Sequence, residues 1–216
     1  MSKLVLVRHG QASFFSDDYD RLSDMGERQA RVLAEHWLAH GVAFDEVYTG
    51  TLVRQHRTAE VVGDVFRAAN QPWPTHEVLE GLNEYPADEM MESLLPKLRA
   101  EDERFEQLDL EFQSAADGKE KYRSFHRLLS AVMEKWIEGK HESNGLMPWT
   151  QFRDGVRGAM KQIISKEGNG RRVAVFSSGG VIGVSVQTVL ESPDRMAAEL
   201  NWRIHNASVT EFTFSG

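Results

Sequence analysis

Apolar positions along the chain fall into two kinds of pattern. Leu4, Val5, Leu6 and Val7 are consecutive and stop at Arg8, the run expected of a strand buried on both faces of a parallel sheet. Val42 to Thr49 predicts a second short strand, and Val78 to Leu82 a short strand or extended segment. Arg172 to Ser178 and Ala207 to Phe214 predict two more. Between them, apolar residues recur at helical spacing. Ala30, Leu33, Ala34, Trp37 and Leu38 form one such face, with Ser23 as N-cap and Gly41 as stop. Ala59, Val62 and Phe66 form the next, behind a Thr51 cap and ended by Pro72 and Pro74.

From Pro86 to Thr150 the texture changes. A charged stretch, Arg99 to Glu106, precedes Phe125, Leu128, Leu129, Val132, Met133 and Trp136 at helical spacing, which predicts a largely helical insertion. Phe105, Leu108 and Phe112 read as core packing or as a partner groove, the core being the commoner reading of such spacing, and the acidic Glu101, Asp102 and Glu103 as a solvated face. Gly139 to Pro148 reads as a loop, and Phe152, Val156, Met160, Ile163 and Ile164 mark a helix returning to the core. Gly179 and Gly180 open another helix, and Ser192-Pro193 supplies an N-cap and first-turn proline for a short one. The expected fold class is α/β: a three-layer αβα sandwich on a mostly parallel central sheet, as one domain of 216 residues. Its core takes in about residues 1–85 and 151–216, with a helical lid insertion at about 86–150.

Charge narrows the partners. A formal net charge of −8 argues against nucleic-acid or anionic-membrane binding, both of which need an excess of Lys and Arg. Any anion site must therefore be built locally. The absence of cysteine excludes disulfides, thiolate zinc sites and cysteine nucleophiles. No uncharged apolar run reaches the roughly 18 residues of a membrane span. Met1-Ser2-Lys3 leads straight into the first strand without a secretory leader, so a cytoplasmic enzyme is expected.

Polar chemistry gathers where strands end. Arg8-His9-Gly10 follows the first strand, Arg54 follows the second, Glu84 the third segment, and Ser178-Gly179 the fourth. No Gly-Lys-Ser or Gly-Lys-Thr follows a glycine-rich turn, so a P-loop is excluded. A nucleophile elbow at Ser178 lacks the required glycine two residues earlier, where Phe176 stands. His36 and His40 share a helix face, yet no third metal ligand is identifiable, and no metal or cofactor is expected.

Four segments, in this order, resemble the histidine phosphatase (phosphoglycerate mutase-like) superfamily. They are Arg8-His9-Gly10; Leu22-Ser23 with Gly26 and Gln29-Ala30; Tyr48 to Ala59 with Leu52, Arg54 and Thr58; and Leu82-Asn83-Glu84. The resemblance implies that His9 is the nucleophile that takes the phosphoryl group. It implies that Arg8 and Arg54 clamp the phosphoryl oxygens, and that Glu84 protonates the leaving group. A neutral imidazole is a competent nucleophile near neutral pH, and guanidinium groups suit the dispersed charge of a transferring phosphoryl group.

The pattern departs at one place. Family members of this type carry a second histidine in a Ser-His-Gly-Gly run, and here Ser177-Ser178-Gly179-Gly180 puts Ser178 at that position. Ser178 offers one uncharged donor, and the amides of Gly179 and Gly180 can meet an anion at a helix N-terminus. His56, His126, His141 and His205 are candidates to replace the lost imidazole in space, and Arg57 to replace its charge. Gln11 stands where glutamate is common in the mutase branch. Ser13 to Leu22 lacks the tryptophan-rich stretch of glycolytic mutases, which favours a phosphatase acting on a phosphorylated small molecule or phosphoprotein. The alternative is a non-catalytic phosphate-binding or partner-binding protein of the same fold.

Overall fold

The computed structural model describes residues 1–12, 20–141 and 145–215. Most of the Ser13 to Leu22 segment and part of the Gly139 to Pro148 loop lie outside the described residues, with the expectations placed on them. Among the described residues β1 (Ser2–Arg8), α1 (Asp24–Ala39), β2 (Glu46–Thr49), α2 (Val53–Ala68) and β3 (His76–Val78) come first in chain order. Then come α3 (Ala87–Glu101), α4 (Glu103–Ser114), α5 (Lys119–Glu138) and α6 (Trp149–Ile164). The chain closes with β4 (Arg172–Ser177), α7 (Gly179–Val189), α8 (Arg195–Asn201) and β5 (Val209–Phe214).

The sheet has the order β3-β2-β4-β1-β5, all neighbours parallel except the β1–β5 pair at one edge. The late strand β4 thus slots between β1 and β2, and their carboxyl ends, with the polar residues that follow, lie side by side. Strand alternation sorts the side chains by face. Val5 and Val7 of β1, Val47 of β2, and Ala174 and Phe176 of β4 pack with Ala30, Ala34 and Trp37 of α1 and Val62 and Phe66 of α2. Leu4, Leu6, Val173 and Val175 are buried on the opposite face, where α7 packs against β1 and α8 against α7.

The chain divides into two compact units, 1–84 with 154–216, and 85–153. The second unit is helical. Its interior is Met90, Leu94, Leu98, Phe105, Leu128, Val132 and Met133, with an aromatic group of Tyr85, Trp136, Trp149 and Phe152. Phe105 is wholly buried, and Phe112 meets Phe125. The charged stretch spans the end of α3 and the start of α4: Asp102 caps α4 by accepting the Arg104 amide, and Arg99 pairs with Glu106 and Asp109.

Several local expectations are corrected. Thr51 does not cap α2, whose N-cap is Leu52 without a side-chain bond. The short strand after Pro74 is His76–Val78, while residues 80–82 form a 3₁₀ turn. α8 starts at Arg195, two residues beyond Ser192-Pro193, because the Pro193 carbonyl is already accepting the Met196 amide. The second strand begins at Glu46 rather than Val42.

Candidate active site

His9 stands one residue past β1 and is buried. Its amide donates to the Ser177 carbonyl at 2.8 Å, which continues the β1–β4 ladder. Alternation carries its side chain to the α1–α2 face. There Nδ1 lies 2.7 Å from the Gly10 carbonyl oxygen. A carbonyl cannot donate, so the neutral ring carries its proton on Nδ1 and keeps the lone pair on Nε2. Arg54 confirms that assignment from the other side, donating from Nε to Nε2 at 3.3 Å. Burial first and then the Arg54 charge pull the imidazole pKa from 6.5 to about 3; the Gly10 bond opposes this, and Arg8 adds the weakest lowering effect. His9 is therefore an uncharged base with its lone pair aimed at a guanidinium.

Arg54 lies in the first turn of α2 and is also buried. Its Nη1 pairs with Asp20 at 2.8 Å. The same carboxylate accepts the Val53 amide at 2.8 Å and the Arg54 amide at 3.4 Å. Asp20 thus performs the capping expected of Thr51, and its carboxylate both satisfies the positive end of the helix and aligns the guanidinium. Thr51 is engaged elsewhere, exchanging two bonds with the Asn83 amide. Thr58, one turn on, accepts from the Gly10 amide and donates to the Arg54 carbonyl, tying the histidine loop to α2.

Arg8 turns to the opposite face. It donates to the Ile204 carbonyl in the α8–β5 turn, and its Nε is buried without a hydrogen-bond partner among the described residues. Asn206 of that turn donates to the His9 carbonyl at 3.1 Å. Glu84 sits at the N-terminus of α7, where both carboxylate oxygens accept from the Gly180 amide at 3.1 and 3.2 Å. The anion that meets the Gly180 amide here is this carboxylate. Gly179 leads the same turn.

Ser178 is fully buried, and its Oγ accepts from Gln55 Nε2 at 2.8 Å. Gln55 escaped the sequence reading because a lone glutamine in a helix carries no signal. Its Nε2 also donates to the Leu82 carbonyl at 2.9 Å, which accepts from Ser177 Oγ at 2.7 Å as well. The amide therefore joins α2, the β4–α7 turn and the segment leading into Glu84. Gly50 is required beside it, since a Cβ there would lie 2.1 Å from Gln55 Oε1. The residue bonded to Ser178 Oγ is thus Gln55 and neither His56 nor His205. His56 Nδ1 is 3.0 Å from His76 Nε2, and His205 is exposed. Arg57 pairs with Glu27 of α1 and with Glu60, so its charge is spent on the helix surface. Gln11 ties its backbone and side chain to Ser23 and Gln29 at the start of α1. Among the described residues no group of three or more His, Asp or Glu could hold a metal ion.

Fold and site together define an α/β protein whose parallel strand ends carry an unprotonated imidazole bonded to the Arg54 guanidinium, a carboxylate on a helix N-terminus and a buried hydroxyl, with Arg8 turned to the Ile204 carbonyl. Such a set is suited to a tetrahedral oxyanion. The chain belongs to the histidine phosphatase superfamily (branch 1), whose family model matches residues 4–147 and 133–216. It is 27% identical over 223 residues to 2-carboxy-D-arabinitol-1-phosphatase of Triticum aestivum, covering 98% of this chain and 37% of that protein. It is 33% identical over 97 residues to a 2,3-bisphosphoglycerate-dependent phosphoglycerate mutase of Lactobacillus acidophilus, over 38% of this chain and 42% of that one. The matches thus span less than half the length of either relative. Phosphoserine phosphatase of Entamoeba histolytica, solved with 3-phosphoglyceric acid, shares the fold at TM-score 0.61 and 20% identity, over 99% of this chain and 91% of that one. Among the described residues no helix is long and apolar enough to cross a membrane.

Proposed function

We propose that the protein is a metal-independent phosphatase that hydrolyses phosphate monoesters through a phosphohistidine on His9. The observation that carries this reading is the His9 tautomer: Nδ1 is held by the Gly10 carbonyl, and the Nε2 lone pair faces Arg54. Family membership and phosphatase relatives support it.

In the first step the Nε2 lone pair forms a bond to phosphorus and the P–O ester bond breaks. The departing alkoxide takes a proton from Glu84, which must carry one at that moment and gives up the Gly180 amide on that oxygen. Arg54, which releases Nε2 as phosphorus approaches, stabilises the charge spread over the phosphoryl oxygens, joined by Arg8 once it leaves the Ile204 carbonyl, and the Gly10 carbonyl stabilises the positive ring through Nδ1–H. Water then attacks phosphohistidine and leaves its proton on Glu84. Inorganic phosphate departs, and the neutral ring is restored. The substrate class is a phosphorylated small molecule or a phosphorylated protein side chain.

A second reading is a phosphate-binding protein without turnover, favoured by Ser178 at the histidine position and by Glu84 resting on Gly180. One experiment separates the two. Phosphate release from p-nitrophenyl phosphate and a panel of phosphorylated metabolites is compared for the intact protein and His9→Ala, with chelator present. We expect turnover that chelator leaves unchanged and that His9→Ala abolishes. Phosphate binding with no release above the variant would instead select the second reading.

A further inference from the structure

We infer that Gln55 and Ser178 together fill the position of the missing second histidine, with Ser178 as a neutral donor to the phosphoryl group and Gln55 as the residue that positions it. This rests on the phosphatase reading. His9 and Ser178 follow directly on the paired ends of β1 and β4, where Arg8 is in register with Ser177. Gln55 follows Arg54 on α2, so the two residues that hold His9 and Ser178 are adjacent in sequence.

The hydrogen-bond directions set the chemistry. Gln55 Nε2 is a donor, as its bond to the Leu82 carbonyl requires, so Ser178 Oγ must be accepting. The Ser178 hydroxyl hydrogen is then left to point away from Gln55. No side-chain capping bond within α7 uses it. The arrangement is not the cheapest way to fill this space, because Gln55 Oε1 is buried without a hydrogen-bond partner among the described residues. A leucine or methionine would leave no such orphan, so the donor end of the amide is what the site uses.

Volume makes the pair a unit. Gln55 and Ser178 are both wholly buried and in contact at 2.8 Å, so a larger imidazole at residue 178 competes with the Gln55 side chain for the same space. The charge state differs as well. A histidine donor titrates near neutral pH, whereas a hydroxyl held by an amide does not titrate in the working range.

The test is a set of variants assayed for p-nitrophenyl phosphate turnover from acid to alkaline pH and for orthovanadate affinity by calorimetry. Ser178→Ala should lower kcat about tenfold or more with KM little changed, as expected for a donor to the transition state. Gln55→Met, which keeps volume and removes the donor, should lower kcat in the wild-type background and have no further effect on Ser178→Ala. Ser178→His alone should be poorly active. Gln55→Ala/Ser178→His should exceed it about tenfold or more and gain an ionisation near neutral pH that the native protein lacks. Wild-type kcat in Ser178→Ala, or equal effects of Gln55→Met in both backgrounds, overturns the inference while leaving the phosphatase reading intact, since that reading stands on His9→Ala. Should the native protein turn over nothing, the phosphatase reading fails, and orthovanadate affinity still decides. Weaker binding by Ser178→Ala sustains the donor assignment, and unchanged binding removes it.

Discussion

At the scale of single residues, the protonation of His9 has consequences for both rate and stability. With its pKa held at about 3 by burial and by Arg54, the ring is unprotonated throughout the neutral range. The free protein should therefore show no acid limb in kcat/KM near 6.5 from its nucleophile. Stability carries the matching signature. Between 6.5 and about 3 the unfolded chain binds a proton at this residue and the folded one does not. Folding is thus favoured at the upper end of that window and weakened as pH falls through it, by at most about 1.4 kcal/mol per pH unit for this site. Urea unfolding at about pH 4.5 and about pH 7.5 should show a smaller difference for His9→Gln than for the native protein. An equal difference would mean that the ring is protonated in the folded state. Asp20 gives a second test. Asp20→Asn keeps an acceptor for the Val53 amide but removes the charge opposite Arg54, and misalignment of that guanidinium should lower kcat about tenfold. Unchanged kcat would show that other contacts suffice to hold Arg54.

At the scale of elements, the site depends on how closely α1 approaches the histidine loop. A Cβ on Gly10 would lie 2.4 Å from the Gly26 carbonyl oxygen, and a Cβ on Gly26 would lie 2.2 Å from that of Gln11. Both contacts are with backbone, which cannot rotate aside, so each glycine permits the other's position. Gly26→Ala should cost about 1–3 kcal/mol and lower kcat by displacing His9, read by thermal unfolding and turnover on the same preparation. Lost stability with unchanged kcat would show that α1 yields instead of the loop. The two helix N-termini behave differently from α1. Ser23 caps α1 from the adjacent position, accepting the Gly26 amide, as local pattern predicts. The N-termini of α2 and α7 take carboxylates from elsewhere, Asp20 and Glu84. In both cases the carboxylate sits where a bound phosphate would also be attracted.

At the scale of the whole molecule, chemistry and structural charge occupy opposite ends of the sheet. Past the carboxyl ends of β1 and β4 lie His9 and Ser178, whereas at the amino ends of β2 and β4 the buried Arg171 grips Glu46 with two bonds of 2.6 and 2.9 Å. Tyr48 donates to the same carboxylate, and Arg171 also donates to the carbonyls of Ile163 and Lys166. Glu46→Ala leaves a buried guanidinium without its counter-charge and should destabilise by about 3 kcal/mol, measured by denaturant unfolding, with kcat of the remaining folded protein unaltered. A loss below about 1 kcal/mol would mean that Arg171 reaches solvent when unpaired. The features legible in the order of residues alone were local. Four of the five expected strands, the second with a later start, the α1 and α5 faces, the cap at Ser23, and the placing of Arg8, His9 and Ser178 at strand ends follow from periodicity and motif order, which act over a few residues. Tertiary structure alone decided the partners. Asp20 holds a helix 33 residues away, Glu84 meets an amide 96 residues away, and Gln55 reaches a serine 123 residues away. No periodicity records such pairings, because they exist only once β4 has inserted between β1 and β2 and brought the strand ends within hydrogen-bonding distance of one another and of α2.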